Sequence, residues 1–229
     1  MTTLVLLPGL DGTGTLFDPL IEALQGAVRT KVICYPPDLT AGYEALEHIA
    51  EALLPQEGPL VLLGESFSGP IAIALAAKHP ERVKGLILCC TFVKRPRPLL
   101  APFRCLAKMA PIKELPVFVS SMPLLGRYST ADLRARLRAA LATVSGAVLR
   151  ARLQAVMSVD ASGAIARVRV PVLYLQARHD WVVPKTAWSA IKRIQPNAKL
   201  VEIAGPHCLL QAAPVESAQL IQAFMGSTN

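Results

Sequence analysis

Six short runs rich in Leu, Val and Ile recur along the chain, each followed by a segment of helical spacing, and this alternation restricts the fold more than any other feature. The runs are Leu4 to Leu7, Lys31 to Tyr35, Leu60 to Leu63, Val83 to Cys89, Val172 to Ala177 and Lys199 to Ile203. Their nearly continuous apolar character suits parallel strands buried on both faces. Helical spacing is found over Leu16 to Leu24, Tyr43 to Leu54, Phe67 to Lys78, Thr186 to Ile194 and Val215 to Met225. Strand followed by helix, repeated, predicts a doubly wound α/β fold with a mostly parallel sheet of about six strands.

The alternation breaks once, between Thr91 and about Val168. This stretch opens with "KRPRPLLAP", has further prolines at 111, 116 and 123, and runs into Ala/Leu/Arg-rich helical sequence from about Thr130. It contains no good strand. A core of residues 1–90 and 169–229 with a helical lid over 91–168 is therefore expected, the lid lying beyond the carboxyl ends of the strands. Its apolar residues Leu99, Leu100, Phe103, Met109, Phe118, Met122, Leu124 and Leu125 could line an acyl pocket or pack the lid onto its body. The net charge of +8 is concentrated here: residues 91 to 170 carry 14 Lys and Arg against Glu114, Asp132 and Asp160. Such a segment is either a solvated helical surface or an attractor for an anionic substrate, carrier or lipid head group.

The remaining composition excludes several classes. With 52% hydrophobic residues the chain can bury a large core without staples. No charge-free apolar run has the length of a membrane span. The N-terminal "MTTLVLLPGLDG" lacks a basic start and reads as the first strand, so a cytoplasmic location is expected. Five cysteines without repeated spacing describe neither a disulfide framework nor a zinc site, and they are expected to be reduced. "GLDGTG" matches neither the Walker pattern nor Gly-x-Gly-x-x-Gly, so no nucleotide cofactor follows from it. A nucleic-acid partner is not expected.

The chemistry gathers at strand ends. Gly64-Glu65-Ser66-Phe67-Ser68-Gly69 follows a strand and precedes a helix, as in a nucleophile elbow, where a sharp turn exposes a central serine. The residues two before and two after must both be small. Gly64 and Ser68 satisfy this, although the usual pattern has Gly at the second position. A capping role for Ser66 is the plain alternative. Glu65 is either a buried, bonded turn residue or a group that tunes polarity at the pocket floor. A serine needs a base oriented by a third group. Asp180, in "RHDWVVP" after one strand, and His207, in "AGPHCLLQ" after the next, can supply it. His48 lies in a helical pattern, His79 at a helix end, and the His179 side chain should point away from its neighbour Asp180. An oxyanion needs backbone donors: Phe67 N–H at the start of the helix and Leu10 N–H in "LPGLDGTGTLF" are the candidates. Asp11 is expected to turn away and bond within its own turn.

"LVLLPGLDGTG", "LLGESFSGPIAIALAAKHPERVKGLIL", "VPVLYLQARHDWVVP" and "IAGPHCLLQAAP" resemble the oxyanion loop, elbow, acid turn and histidine loop of the α/β-hydrolases. The likeness covers nearly the whole chain except the insertion. It implies a Ser-His-Asp triad in the order Ser66, Asp180, His207, and no cofactor. "LPGLDGTG" is also similar to the opening loop of phytyl ester synthase-like acyltransferases. The chain departs from the family at Ser68 and at Pro8, where many members have His. The expected activity is hydrolysis of carboxylic esters or thioesters, the acyl donor being anionic if the basic insertion binds it. An acyltransferase moving the acyl group to an alcohol, and a non-catalytic ligand-binding protein on the same fold, are the alternatives. Acyl chain length, physiological substrate and oligomeric state are not legible.

Overall fold

A computed structural model describes residues 1–96 and 117–228, without the side chains of 117–120. Six strands form one sheet in the order β2-β1-β3-β4-β5-β6, every pair parallel. They are β1 (Thr3–Leu7), β2 (Arg29–Val32), β3 (Leu60–Glu65), β4 (Val83–Cys89), β5 (Val172–Ala177) and β6 (Lys199–Ile203). The chain steps outward from β1 to β2, then returns across β1 to β3 and continues the other way. The reversal leaves a crevice beyond the carboxyl ends of β1 and β3, where open α/β sheets hold their ligands.

Alternate strand residues feed two apolar layers. Val5, Leu7, Leu62, Leu86, Leu88 and Tyr174 face α2 (Tyr43–Ala52), α3 (Gly69–Lys78) and α8 (Thr186–Ile194). Leu4, Leu6, Val61, Leu63, Ile87 and Leu175 face α1 (Asp18–Ala23) and α9 (Pro214–Gly226). β1, β3 and β5 are buried along their whole length, which is why they read as nearly continuous apolar runs, Thr3, Glu65 and Gln176 being their buried polar residues.

β2 differs from the expected Lys31 to Tyr35. It begins two residues earlier and ends at Val32. As an edge strand it alternates between exposed and half-buried residues, so apolar content located it poorly. Beyond it Ile33 N–H still bonds Leu6 O at 2.9 Å, but Tyr35 N–H has turned to Gly12 O at 2.8 Å. The helix expected from Phe67 starts instead at Gly69, after a tight turn over Ser66–Ser68, with Pro70 in its first turn where a missing N–H costs little.

Between β4 and β5 the described residues form α4 (Val117–Leu125), α5 (Ala131–Thr143), α6 (Gly146–Val156) and α7 (Ser162–Ile165), with no strand beyond an isolated bridge from Lys94 to Asp160. Thr130 caps α5 by accepting from Leu133 N–H at 3.1 Å, and Ser145 caps α6 by accepting from Val148 N–H at 3.1 Å. These helices rest on the loops at the strand ends. Ser145 N–H bonds Pro37 O at 3.1 Å, and Cys208 N–H bonds Leu124 O at 3.0 Å. Leu99, Leu100, Phe103, Met109, Cys105 and the Phe118 side chain lie outside the described residues. Met122 is 41% exposed and Leu125 is packed away, so neither lines a pocket in the way the sequence allowed. Among the described residues the cysteines are free, and no helix is long and apolar enough to cross a membrane.

Candidate active site

Strand register decides which loops meet. Leu7 pairs with Gly64, so the loop after β1 and the turn after β3 leave the sheet side by side. Ala177 pairs with Ile203, and the loops beyond stay joined through His179 N–H to Gly205 O at 3.0 Å. That join brings Asp180 and His207 together although 26 residues intervene between them in the chain.

Ser66 has φ +47°, in the left-handed region that a non-glycine residue enters at a cost of about 1–3 kcal/mol. The surroundings enforce it. A Cβ on Gly64 would stand 2.8 Å from both Ser68 O and Ala72 Cβ and 2.9 Å from Gly69 Cα. At Gly69 a Cβ would overlap the Thr91 side chain. Thr91 Oγ1 itself donates to Ser66 O, and Tyr43 Oη donates to Phe67 O at 3.0 Å while its ring stacks on Phe67 at 4.7 Å. The serine at 68 fits because its hydroxyl has partners. It donates to Pro8 O and receives Tyr35 Oη at 2.8 Å, which ties the turn to the loop after β1.

The half-buried Ser66 hydroxyl meets a hydrogen-bonded row. Ser66 Oγ lies 2.8 Å from His207 Nε2, and His207 Nδ1 lies 2.8 Å from Asp180 Oδ2. Asp180 Oδ1 accepts from Val182 and Val183 N–H, both at 2.8 Å, so each carboxylate oxygen is oriented by a donor. The side chains of His207 and Asp180 are 5% and 6% exposed, which keeps water from competing for these bonds. With Nδ1–H given to Asp180, Nε2 is the acceptor for the serine proton.

His79 bonds Glu51 Oε1 at 2.8 Å, and the His179 ring meets Arg127 and Tyr128, away from the row.

A cavity of about 110 Å³ opens beside Ser66 and His207, lined by Gly9, Leu10, Leu16, Leu124, Leu137 and Leu141 along with two carboxyl groups, Asp11 and Glu65. Larger grooves elsewhere on the surface do not reach Ser66. Asp11 turns back as its glycine-rich loop predicts, Oδ2 accepting from Thr13 N–H at 2.9 Å and Thr13 Oγ1 at 2.6 Å. Glu65 is both buried and at the cavity wall, taking Gln211 Nε2–H at 3.0 Å. Burial raises its carboxyl to about 7, opposed by the Gln211 bond. Gln211 Oε1 is buried without a donor among the described residues.

Leu10 lines the cavity, and Phe67 N–H belongs to the turn that starts α3, where the first amides have no partner within the helix. Among the described residues no group of three His, Cys, Asp or Glu could hold a metal ion. Sequence reasoning missed Thr91, Tyr35, Tyr43, Gln211 and Arg152, of which only Gln211 falls within a quoted motif, and there without a role assigned to it. Arg152 was counted only as surface charge.

An elbow of this kind at the end of the third strand of a parallel sheet, with an acid and a histidine on later strand ends, defines the α/β-hydrolase class. A family model described as the alpha/beta hydrolase family matches residues 4–220, and the chain belongs to that family. It is 29% identical to a pimeloyl-[acyl-carrier protein] methyl ester esterase of Aromatoleum aromaticum, over 96% of each protein. A 33% identical match to phytyl ester synthase 1 of Arabidopsis thaliana spans 48% of this chain but only 16% of that much longer protein. Among solved structures, a hydrolase from Oleispira antarctica superposes with a TM-score of 0.83 at 16% identity, covering 98% of this chain and 90% of the other. The enol-lactonase of Burkholderia xenovorans superposes at 0.81 with 18% identity, over 98% and 91%. At those identities the structural likeness speaks for the fold.

Two outcomes are expected. Gly64→Ala should force the turn apart, lowering stability by about 1–3 kcal/mol in thermal or denaturant unfolding, as overpacking against backbone does. Glu65 should make stability pH-dependent. Unfolded, it loses its proton near the ordinary 4.5; folded, near 7. Its contribution is therefore complete below 4.5 and is lost as pH rises through 7, a change of about 3 kcal/mol at most. Glu65→Gln should flatten that part of the stability–pH curve. An unchanged slope between pH 5 and 7 would remove Glu65 as its source.

Proposed function

We propose that the protein is a serine hydrolase of carboxylic esters that works through an acyl-enzyme on Ser66. The observation that carries this reading is the row from Ser66 Oγ through His207 to Asp180, with both contacts at 2.8 Å. Ser66 Oγ attacks the ester carbonyl as its proton passes to His207 Nε2. Asp180 holds the imidazole in the required tautomer and stabilises the imidazolium that forms. Leu10 and Phe67 N–H receive the developing oxyanion, each worth about 3–4 kcal/mol of the barrier. The intermediate collapses with cleavage of the carbonyl–oxygen bond, and His207 gives its proton to the departing alcohol. Water then repeats the sequence and releases the acid. The described helices of residues 91–168 act in this reading as a cap, since Leu124, Leu137 and Leu141 wall the cavity in which the substrate sits.

A second reading, transfer of the acyl group to an alcohol, is favoured by the match to phytyl ester synthase 1. It would need only that an alcohol replace water in the second half. A panel of esters and thioesters of graded chain length, run with and without an alcohol, separates the two: hydrolysis is indifferent to the alcohol, and transfer yields a new ester faster than acid.

The basic segment also suits an anionic carrier on the substrate, the kind of carrier named for the Aromatoleum relative. Added salt should then raise KM for an acyl-carrier or acyl-CoA thioester more than for a neutral ester; equal responses would discard the idea.

The direct test is Ser66→Ala and His207→Ala. Each should lower the rate by on the order of 10⁴–10⁶ with the fold retained. A Ser66→Ala variant that keeps more than about a tenth of wild-type esterase activity would end this reading.

A further inference from the structure

Arg152 is the one described Arg or Lys that is fully buried, at 0% exposure, and it makes no ion pair among the described residues. It reaches from α6 into the loop after β1. Nη1 donates to Leu10 O at 3.0 Å and to Asp11 O at 2.7 Å, and Nη2 donates to Pro36 O at 3.1 Å. The guanidinium lies 5.6 Å from the Tyr35 ring centroid, and a Cβ on Gly12 would overlap it. Its Nε is buried without a partner among the described residues. A full charge whose hydrogen bonds among the described residues all go to main-chain carbonyls, with one donor unused there, is a costly core residue and a poor staple.

What it holds gives it a use. Six successive carbonyls of the loop are each tied to a donor. Pro8 O takes the Ser68 hydroxyl, Gly9 O takes Gly12 N–H, Gly12 O takes Tyr35 N–H, and Thr13 O takes the Cys34 thiol. The remaining two, Leu10 O and Asp11 O, belong to Arg152. Because a trans peptide sets its C=O and N–H on opposite edges, the bond from Gly9 O into the turn sends Leu10 N–H outward. Fixing Leu10 O then fixes the next peptide plane, so the Leu10 amide is clamped from both sides. Arg suits this because its planar fork holds its donors in a fixed, spread geometry, whereas the three donors of a Lys ammonium radiate from a single nitrogen.

We propose that Arg152 is a positioning residue for ester cleavage, its guanidinium holding the Pro8–Thr13 loop so that Leu10 N–H stands ready for the oxyanion. The inference rests on the reading of Ser66 as nucleophile. It makes α6 part of the machinery that positions the reaction, although no residue of that helix lines the cavity beside Ser66.

Arg152→Lys and Arg152→Ala separate positioning from packing. With a short p-nitrophenyl ester, kcat should fall by about 10²–10³, the loss found when one oxyanion donor is removed, with KM within about threefold of wild type. The Ki of an alkyl boronic acid, which forms a tetrahedral adduct on a serine, should rise in step with the fall in kcat/KM. Methylguanidine should restore at least about tenfold of the rate to Arg152→Ala and nothing to Ser66→Ala. A residue that only packs would lower the melting temperature and leave kcat, Ki and rescue untouched, and that result in folded variants overturns the proposal. Should neither variant fold, the wild-type protein decides. The Leu10 amide proton resonance should move downfield when the boronic acid binds, and a resonance that does not move overturns the proposal equally. Failure of the underlying reading looks different: the boronic acid would not inhibit wild type, and Ser66→Ala would stay active.

Discussion

The left-handed backbone at Ser66 is the constraint around which the site is organised. A serine does not adopt φ +47° by preference, and a helix could begin after β3 without it. The turn is held in place by bonds to its own carbonyls, from Thr91 to Ser66 O and from Tyr43 to Phe67 O, and by the absence of side chains at Gly64 and Gly69. With the carbonyls directed into the protein, the Ser66 hydroxyl is left for the crevice, against His207. The strain and the polar ties are two aspects of one arrangement, since neither set of contacts could form with Ser66 in an ordinary helical or extended conformation.

Thr91 extends that arrangement along the sheet. It follows Cys90, another non-glycine residue with positive φ, at +47°. The kink turns the chain out of β4 and sets Thr91 beneath the elbow, where Tyr174 Oη secures its carbonyl at 2.7 Å. Strands β3, β4 and β5 are therefore connected through polar bonds at their carboxyl ends as well as through the ladder. A parallel sheet buried on both faces makes this economical, because its strand ends are the one region where polar groups from distant parts of the chain can meet without burying an unpaired backbone.

How much of this was legible follows the same division. The central strands could be read because burial on both faces leaves them uniformly apolar; β2 was displaced by two residues because an edge strand obeys a weaker pattern. Ser66, Asp180 and His207 could be singled out because each stands in a loop just past a strand, and register does the rest. Ser68 looked like a defect in the elbow, since the sequence does not show that Tyr35 and Pro8 lie within reach of its hydroxyl. Arg152 was the hardest to see. It sits in a helix with Arg150 and near Arg134, Arg136 and Arg138, and nothing local distinguishes the one that folds inward from those that remain partly or fully exposed.

The contrast between that basic segment and the cavity it covers limits how a charged substrate could be placed. Arg127, Arg138 and Arg167 are exposed, whereas the space beside Ser66 is walled by leucines and by the carboxyls of Asp11 and Glu65. An anionic group drawn toward the arginines gains at the surface. The same group pushed into the cavity would face Asp11 and, above pH 7, an ionised Glu65 as well. Attraction outside and repulsion inside are compatible only if the charge resides on the carrier or leaving group and the acyl end that enters is neutral. In the proposed mechanism Glu65 would also bear on the chemistry: its ionised form near His207 favours an imidazolium yet opposes an oxyanion, while its protonated form does neither. Its burial thus keeps the cavity less negative at neutral pH than two exposed carboxylates would make it, which is the condition the oxyanion of the proposed mechanism would require.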